Sequence, residues 1–209
     1  MAQLNWPLIV IATATLTSGC AGMDRKECEL ADWRAVGYED GARGLPSTQF
    51  GAYRRECSDH GVAPDFEAYQ AGRAAGVTEY CQPSRGFQEG ARGATYAGVC
   101  PPELEDGFVI NYDRGRTLYL LESEVQSVVN GIHQRRSRIN AIERELVAVS
   151  ARIIADETTG DQRAQLIVTT KQLTEERVRL SREVEDLEVL RKQREQELAE
   201  QRAELVGRL

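Results

Sequence analysis

The chain has 209 residues, 41% of them hydrophobic, 28% charged and 6% aromatic, with a formal net charge of -7. That is enough for one or two modest domains and excludes a collagen-like or wholly disordered polymer. An acidic chain lacks the broad basic surface that phosphate backbones require, so nucleic acid is not expected as a partner. Two histidines, His60 and His133, leave little for histidine-centred metal sites or relays.

Met1–Gly19 carries no charged side chain and holds the apolar run Pro7-Leu8-Ile9-Val10-Ile11-Ala12. The run is too short to span a bilayer, so residues 1–19 read as a signal peptide. Leu16-Thr17-Ser18-Gly19-Cys20 resembles a bacterial lipobox, with small residues leading to a cysteine whose thiol would take the diacylglyceryl group and become the mature N-terminus. Thr17 stands where leucine is usual, and the first residues lack the customary lysine or arginine. Each acyl methylene contributes about 0.8 kcal/mol of membrane affinity, so acylated Cys20 would tether the protein through membrane lipid, with 20–27 as the tether. Ala21, rather than aspartate, resembles lipoproteins sorted to the outer membrane, and its periplasmic face is the expected location.

Four cysteines remain, Cys28, Cys57, Cys81 and Cys100, an even number for an oxidising compartment. No C-x-x-C pair exists and every gap is long, so two disulfides are expected rather than zinc. Four cysteines allow three connectivities. If 28–44 and 48–60 form an antiparallel helical pair, the start of the first lies beside the end of the second, which favours Cys28–Cys57 and leaves Cys81–Cys100.

A phrase recurs between these cysteines: Trp33 through Gly37-Tyr38-Glu39-Asp40-Gly41-Ala42-Arg43-Gly44, then Tyr69-Gln70-Ala71-Gly72-Arg73-Ala74-Ala75-Gly76, then Phe87-Gln88-Glu89-Gly90-Ala91-Arg92-Gly93. Glycines four apart share a helix face almost without side chain, onto which another helix can close. Interleaved Glu39, Asp40, Arg43 and Arg73 exclude a membrane helix pair. Close packing of short helices is the expected use. The alternative is a ligand face of Trp33, Tyr38, Arg43, Tyr69, Arg73 and Arg92 that would take a small ligand or cell-wall fragment, an arginine meeting a carboxylate. The string from Cys28 and Asp32-Trp33 through Tyr53, Cys57, Pro64-Asp65, Tyr80-Cys81, Gly86-Phe87, Tyr96 and Val99-Cys100-Pro101 resembles the bacterial lipoprotein family catalogued as domain of unknown function 2799. The resemblance implies an exported, lipid-anchored envelope protein and brings no activity and no catalytic residue.

The residue grammar changes after Pro101-Pro102, which suits a helix start. Leu118, Leu121, Val125, Val128, Ile132, Ile139, Ile142, Leu146, Val149 and Ile153 follow alternating three- and four-residue steps, broken where Arg135 takes a seam position. Gly107 and Gly115 weaken the backward extension of this helix. The pattern stops at Asp156–Asp161, read as a reversal with Asp161 as N-cap. Leu166, Leu173, Leu180 and Leu187 then recur every seven residues, joined by Val184, Leu198 and Leu205. An antiparallel hairpin is favoured over a parallel oligomer.

The expected fold is all-α: a small disulfide-stapled domain of short glycine-rich helices over 28–101, followed by a long antiparallel coiled-coil hairpin over 102–209 that turns near 156–161. No nucleophile elbow, P-loop, H-E-x-x-H or calcium loop occurs, so no catalytic residue, metal or cofactor is expected. Glu39 and Asp40 read as surface acids, and His60 before Gly61 as a helix-end residue. The function expected is that of a non-enzymatic outer-membrane lipoprotein whose coiled coil holds an envelope protein or associates with itself.

Overall fold

The computed structural model describes residues 22–206, and the signal peptide and Cys20 lie outside the described residues. Seven α-helices and one short 3₁₀ turn make up the described chain, which contains no strand. It divides into two compact units, one ending at Glu79 and the other beginning at Tyr80. The segment 28–101, expected as one domain, is therefore shared between them: its last third packs on the long helix that follows.

In the first unit, α1 (Arg25–Leu30) starts at a capping box in which Asp24 Oδ1 accepts from Glu27 N and Glu27 Oε2 accepts from Asp24 N, both at 2.8 Å. The expected continuous helix over 28–44 is broken, because Asp32 caps a new one, α2 (Trp33–Ala42), accepting from Arg34 N and Ala35 N at 3.0 and 3.1 Å. A 3₁₀ turn at Ser47–Gln49 leads into α3 (Phe50–Ser58), and Asp65 Oδ1 accepts from Ala68 N at the start of α4 (Phe66–Tyr80). Cys28 pairs with Cys57, joining α1 to the end of α3 beneath a core of Trp33, Phe50 and Tyr69.

Helices α2 and α4 cross with almost no side chain between them. A Cβ on Gly41 would stand 2.8 Å from Val77 N, one on Gly72 2.7 Å from Arg34 C, and one on Gly76 2.6 Å from Ala42 N; Gly37 faces Tyr69 in the same way. Contacts this short are sterically forbidden for any residue with a side chain, so the recurring glycines set the distance between the helices.

The second unit repeats this crossing with α5 (Pro83–Ala91) and the first turns of α6 (Pro102–Ile154). Gly86 and Gly90 of α5 lie against the backbone of Phe108, Tyr112 and Arg116, and Gly115 of α6 lies against Phe87 and Ala91. Gly115, which as a helix glycine weakened the sequence pattern, is thus the counterpart of Gly76. The Cys81–Cys100 disulfide returns the chain to the start of α6, and Tyr80, Tyr96 and Tyr112 surround the fully buried Phe108.

Beyond the crossing, α6 runs on to Ile154 and reverses through residues 155–159 into α7 (Gly160–Val206). The cap is Thr159, not Asp161: its hydroxyl accepts from Gln162 N and its own N–H donates to Gln162 Oε1. Ile132, Ile142, Leu166, Leu173, Leu180 and Leu198 are buried in the seam. Ion pairs of Arg138 with Glu176, Arg135 with Glu183 and Arg194 with Glu124 fix the helices as antiparallel.

Two glycines of α6 make opposite predictions. Gly107 has open space beyond Pro83 Cγ at 3.5 Å, so Gly107→Ala should stabilise by about 0.5–1 kcal/mol through helix propensity. Gly115→Ala places its Cβ 2.7 Å from Ala91 N and should destabilise by about 1–3 kcal/mol. Thermal unfolding of the two variants checks the opposed signs.

Candidate functional site

Each crossing encloses an acid. Asp40 is 1% and Glu89 3% exposed, although the adjacent acids Glu39-Asp40 read as surface groups. Glu39 does face solvent. Asp40 does not, because it sits between Gly37 and Gly41 on the face that meets α4. Its Oδ1 accepts from Arg43 Nη2 at 2.7 Å and from the Tyr53 hydroxyl at 3.2 Å, and its Oδ2 accepts from the Tyr69 hydroxyl at 2.9 Å. In the second unit the longer Glu89 reaches two arginines instead: Arg85 Nε at 3.2 Å from Oε1, and Arg92, whose Nε donates to Oε2 at 2.8 Å and whose Nη2 donates to the same oxygen.

The matching extends along the chain. Gly44 and Gly93, which end the two helices, have φ of 70° and 76°. Leu45 N returns to Asp40 O at 2.9 Å, and Ala94 N to Glu89 O at 3.0 Å, closing the same C-terminal turn. The next carbonyls are held from the crossing helix: Arg73 Nη2 donates to Leu45 O at 2.8 Å, and the Tyr112 hydroxyl donates to Ala94 O at 2.6 Å. The signal was present in the sequence as the octets Gly37-Tyr-Glu-Asp-Gly-Ala-Arg-Gly44 and Gly86-Phe-Gln-Glu-Gly-Ala-Arg-Gly93, each with an acid immediately before its middle glycine.

These placements redistribute the residues of the expected ligand face. Trp33 and Tyr69 are core residues rather than a presented surface, with Trp33 packed edge-on against Phe50 at 6.3 Å. Arg43 and Arg73 are engaged with Asp40 and Leu45, and Arg92, in the other unit, with Glu89. Tyr38 is exposed and donates to Glu79. Asp40 therefore gathers Arg43 and Tyr69 into one cluster. Arg73 Nε is buried without a hydrogen-bond partner, its guanidinium held through Nη2 alone. Among the described residues no group of three or more His, Cys, Asp or Glu side chains stands close enough to hold a metal ion, and no helix is long and apolar enough to cross a membrane.

The second candidate surface is the outer flank of the hairpin. Val147 and Ile154 of α6 are 72% and 78% exposed, and Ile167 of α7 59%. None occupies a seam position. A shallow groove runs along α6 beside Asn140, Glu143, Val147 and Ala151.

Burial first, then the hydrogen bond to Asp40 and its charge, push the Tyr69 hydroxyl well above the ordinary phenol range. Burial first, then the Glu89 charge, push Tyr80 up to about 12. A phenol whose folded pKa is raised retains its proton longer in the native state, so its stabilising effect is complete below the unfolded value near 10 and is lost as pH rises toward the folded one. Unfolding free energy should therefore fall above about pH 10, and Tyr69→Phe should flatten that fall in denaturant titrations. Asp40→Ala strands the buried Tyr69 hydroxyl, the half-buried Tyr53 hydroxyl and Arg43 and should cost about 3 kcal/mol, whereas Glu39→Ala should stay within about 0.5 kcal/mol of the parent, measured the same way.

The family model described as "Protein of unknown function (DUF2799)" matches residues 32–117. No curated protein and no solved structure matches the chain. The matched span opens at the Asp32 cap of α2 and closes two residues past Gly115, so it takes in both glycine crossings and both buried acids and ends where α6 becomes one arm of the hairpin. The span that matches the DUF2799 family model is thus built as two successive glycine crossings, each closed over a carboxylate.

Proposed function

We propose that the protein is a non-enzymatic lipoprotein of the outer membrane, held at the periplasmic face by acylated Cys20, that acts as an interaction scaffold through the α6–α7 hairpin. The observation that carries the reading is the hairpin flank. At about 1.5 Å per residue, the 53 residues of α6 extend for roughly 80 Å, and the seam already buries the leucines and isoleucines that hold α7. Val147, Ile154 and Ile167 stand outside it and add nothing to the hairpin itself. Exposed aliphatic side chains grouped on a rigid helical flank are what a partner helix uses for docking.

The buried acids support a cohesive rather than a catalytic role. Both oxygens of Asp40 and of Glu89 are occupied by donors from the same unit, which leaves neither as a free base. Support for the anchor comes from the sequence, in the uncharged leader and the lipobox-like Leu16–Cys20.

Two measurements test the reading. Cys20→Ser should move the protein from the membrane to the soluble fraction of the envelope, and retention in the membrane would remove the anchor. Photo-crosslinkers placed at the exposed positions Gln126, His133 and Val147 in intact cells should trap a second copy or an envelope protein. Capture of neither from all three positions would end the scaffold.

A further inference from the structure

The two flanks of the hairpin differ. On one, Arg138 binds Glu176 through Nε and Nη2, both at 2.9 Å, and Glu145 through Nη1 at 2.8 Å, while Arg135 binds Glu183 at 2.7 Å. That flank is closed by charge. On the other, the half nearest the two ends of the chain in the hairpin is closed by Arg136 and Glu188 at 2.7 Å, but the half nearest the turn carries no ion pair between the helices among the described residues. Two stripes of identical spacing occupy it: Glu143, Val147, Ser150 and Ile154 on α6, and Ile167, Lys171, Thr174 and Val178 on α7. All eight residues are exposed. Steps of four, three and four residues keep each stripe on one face of its helix.

We infer that this turn-proximal flank is the contact surface for a second copy of the chain, joined about a two-fold axis parallel to the hairpin. This inference rests on the scaffold reading and names its partner. The operation lays α6 of one copy on α7 of the other, antiparallel, as in a four-helix bundle. The intramolecular pairs Arg138–Glu176 and Arg135–Glu183 set which residues share a level. At those levels, Glu143 of one copy faces Lys171 of the other, and Val147 faces the span between Ile167 and the Lys171 stem. A two-fold axis makes each contact twice. Charge complementarity selects the second copy as the occupant. Glu143 makes no ion pair among the described residues, and Lys171 reaches only Glu175, at 3.9 Å with both side chains mostly exposed. The one acid and the one base of the two stripes, neither with a close partner in its own chain, are thus supplied to each other by a second.

The test is sedimentation equilibrium of the acylated full chain in density-matched detergent micelles. The parent protein should show a concentration-dependent mass between one and two chains. Val147→Glu combined with Ile167→Glu should raise the dimer dissociation constant about tenfold or more, with helicity by circular dichroism unchanged. Glu143→Lys alone and Lys171→Glu alone should each weaken association, and the two together in one chain should restore it, an outcome that a loss of folding cannot mimic. A single-chain mass at every concentration, or a dimer indifferent to all of these substitutions, overturns the inference. A crosslinker at Val147 in intact cells separates the two levels of failure. Capture of a different envelope protein by a chain that sediments as a monomer sinks the second copy and leaves the scaffold standing, whereas capture of nothing at Val147, Gln126 and His133 alike, by a chain that sediments as a monomer, sinks both.

Discussion

The fold depends on the approach of helix backbones across glycine. Gly37, Gly41, Gly72 and Gly76 let α2 and α4 close to a distance at which any Cβ would collide with the facing main chain, and Gly86, Gly90 and Gly115 do the same for α5 and α6. Helix glycine costs up to about 1 kcal/mol relative to alanine, so seven of them cost about 7 kcal/mol. The two disulfides join residues 29 and 19 apart in sequence and contribute about 3 kcal/mol each in the chain-entropy picture. The two quantities nearly offset. A small, glycine-rich unit of this kind has limited apolar surface to draw on, in keeping with one disulfide in each unit.

The buried acids follow from the same geometry. Where two helices touch through glycine, the next position on the contact face is pressed into the interface as well, and a side chain there must find partners inside. Asp40 is short and is met by hydroxyls from α3 and α4 together with Arg43. Glu89 is one methylene longer and turns back to Arg85 and Arg92 of its own helix. With Glu89 satisfied locally, the crossing helix need not supply a tyrosine to it, and the position matching Tyr69 is the apolar, fully buried Phe108. The substitution of phenylalanine for tyrosine on one helix and of glutamate for aspartate on the other are thus two parts of one exchange. Burying a carboxylate is costly unless it is fully hydrogen-bonded, and each version achieves this with a different donor set.

Much of this was legible in the sequence, and the misses have physical causes. The hairpin seam could be read because a buried stripe must recur at the helical period, and Ile132, Ile142, Leu166, Leu173 and Leu180 lie where that period places them. Disulfide pairing could be read because proximity in an antiparallel arrangement constrains it, even though Asp32 breaks the first helix in two. Asp40 escapes a sequence reading that knows the two acids point about 100° apart, because its place beside Gly37 and Gly41 implies burial only once another helix closes on that face. Gly115 was misread because helix propensity counts glycine as a weakness, and only its matching with Gly76 shows that a neighbouring backbone requires it. Thr159 displaced Asp161 as the cap because Gln162 three residues on completes a reciprocal pair that Asp161 lacks.

The arginines in the seam admit an explanation within one chain. Arg135 interrupts the apolar stripe of α6, as a polar residue does when it specifies register or meets a third helix. Its Nε donates to Glu183 and its Nη1 to Gly131 O, so the interruption is satisfied between α6 and α7. Glu183 and Glu176 are held below the usual carboxylate range chiefly by hydrogen bonds from Arg135 and Arg138. A slip of one heptad between the helices keeps apolar residues opposite apolar residues but sets Arg135, Arg136 and Arg138 opposite Glu176, Ser181 and Thr169 in one direction and opposite Leu190, Glu195 and Glu183 in the other, so neither slipped register satisfies all three. Apolar packing alone scarcely distinguishes such registers, whereas the three arginines do. Their role is therefore to fix how α6 and α7 align, and that alignment brings the stripe ending at Ile154 level with the one beginning at Ile167.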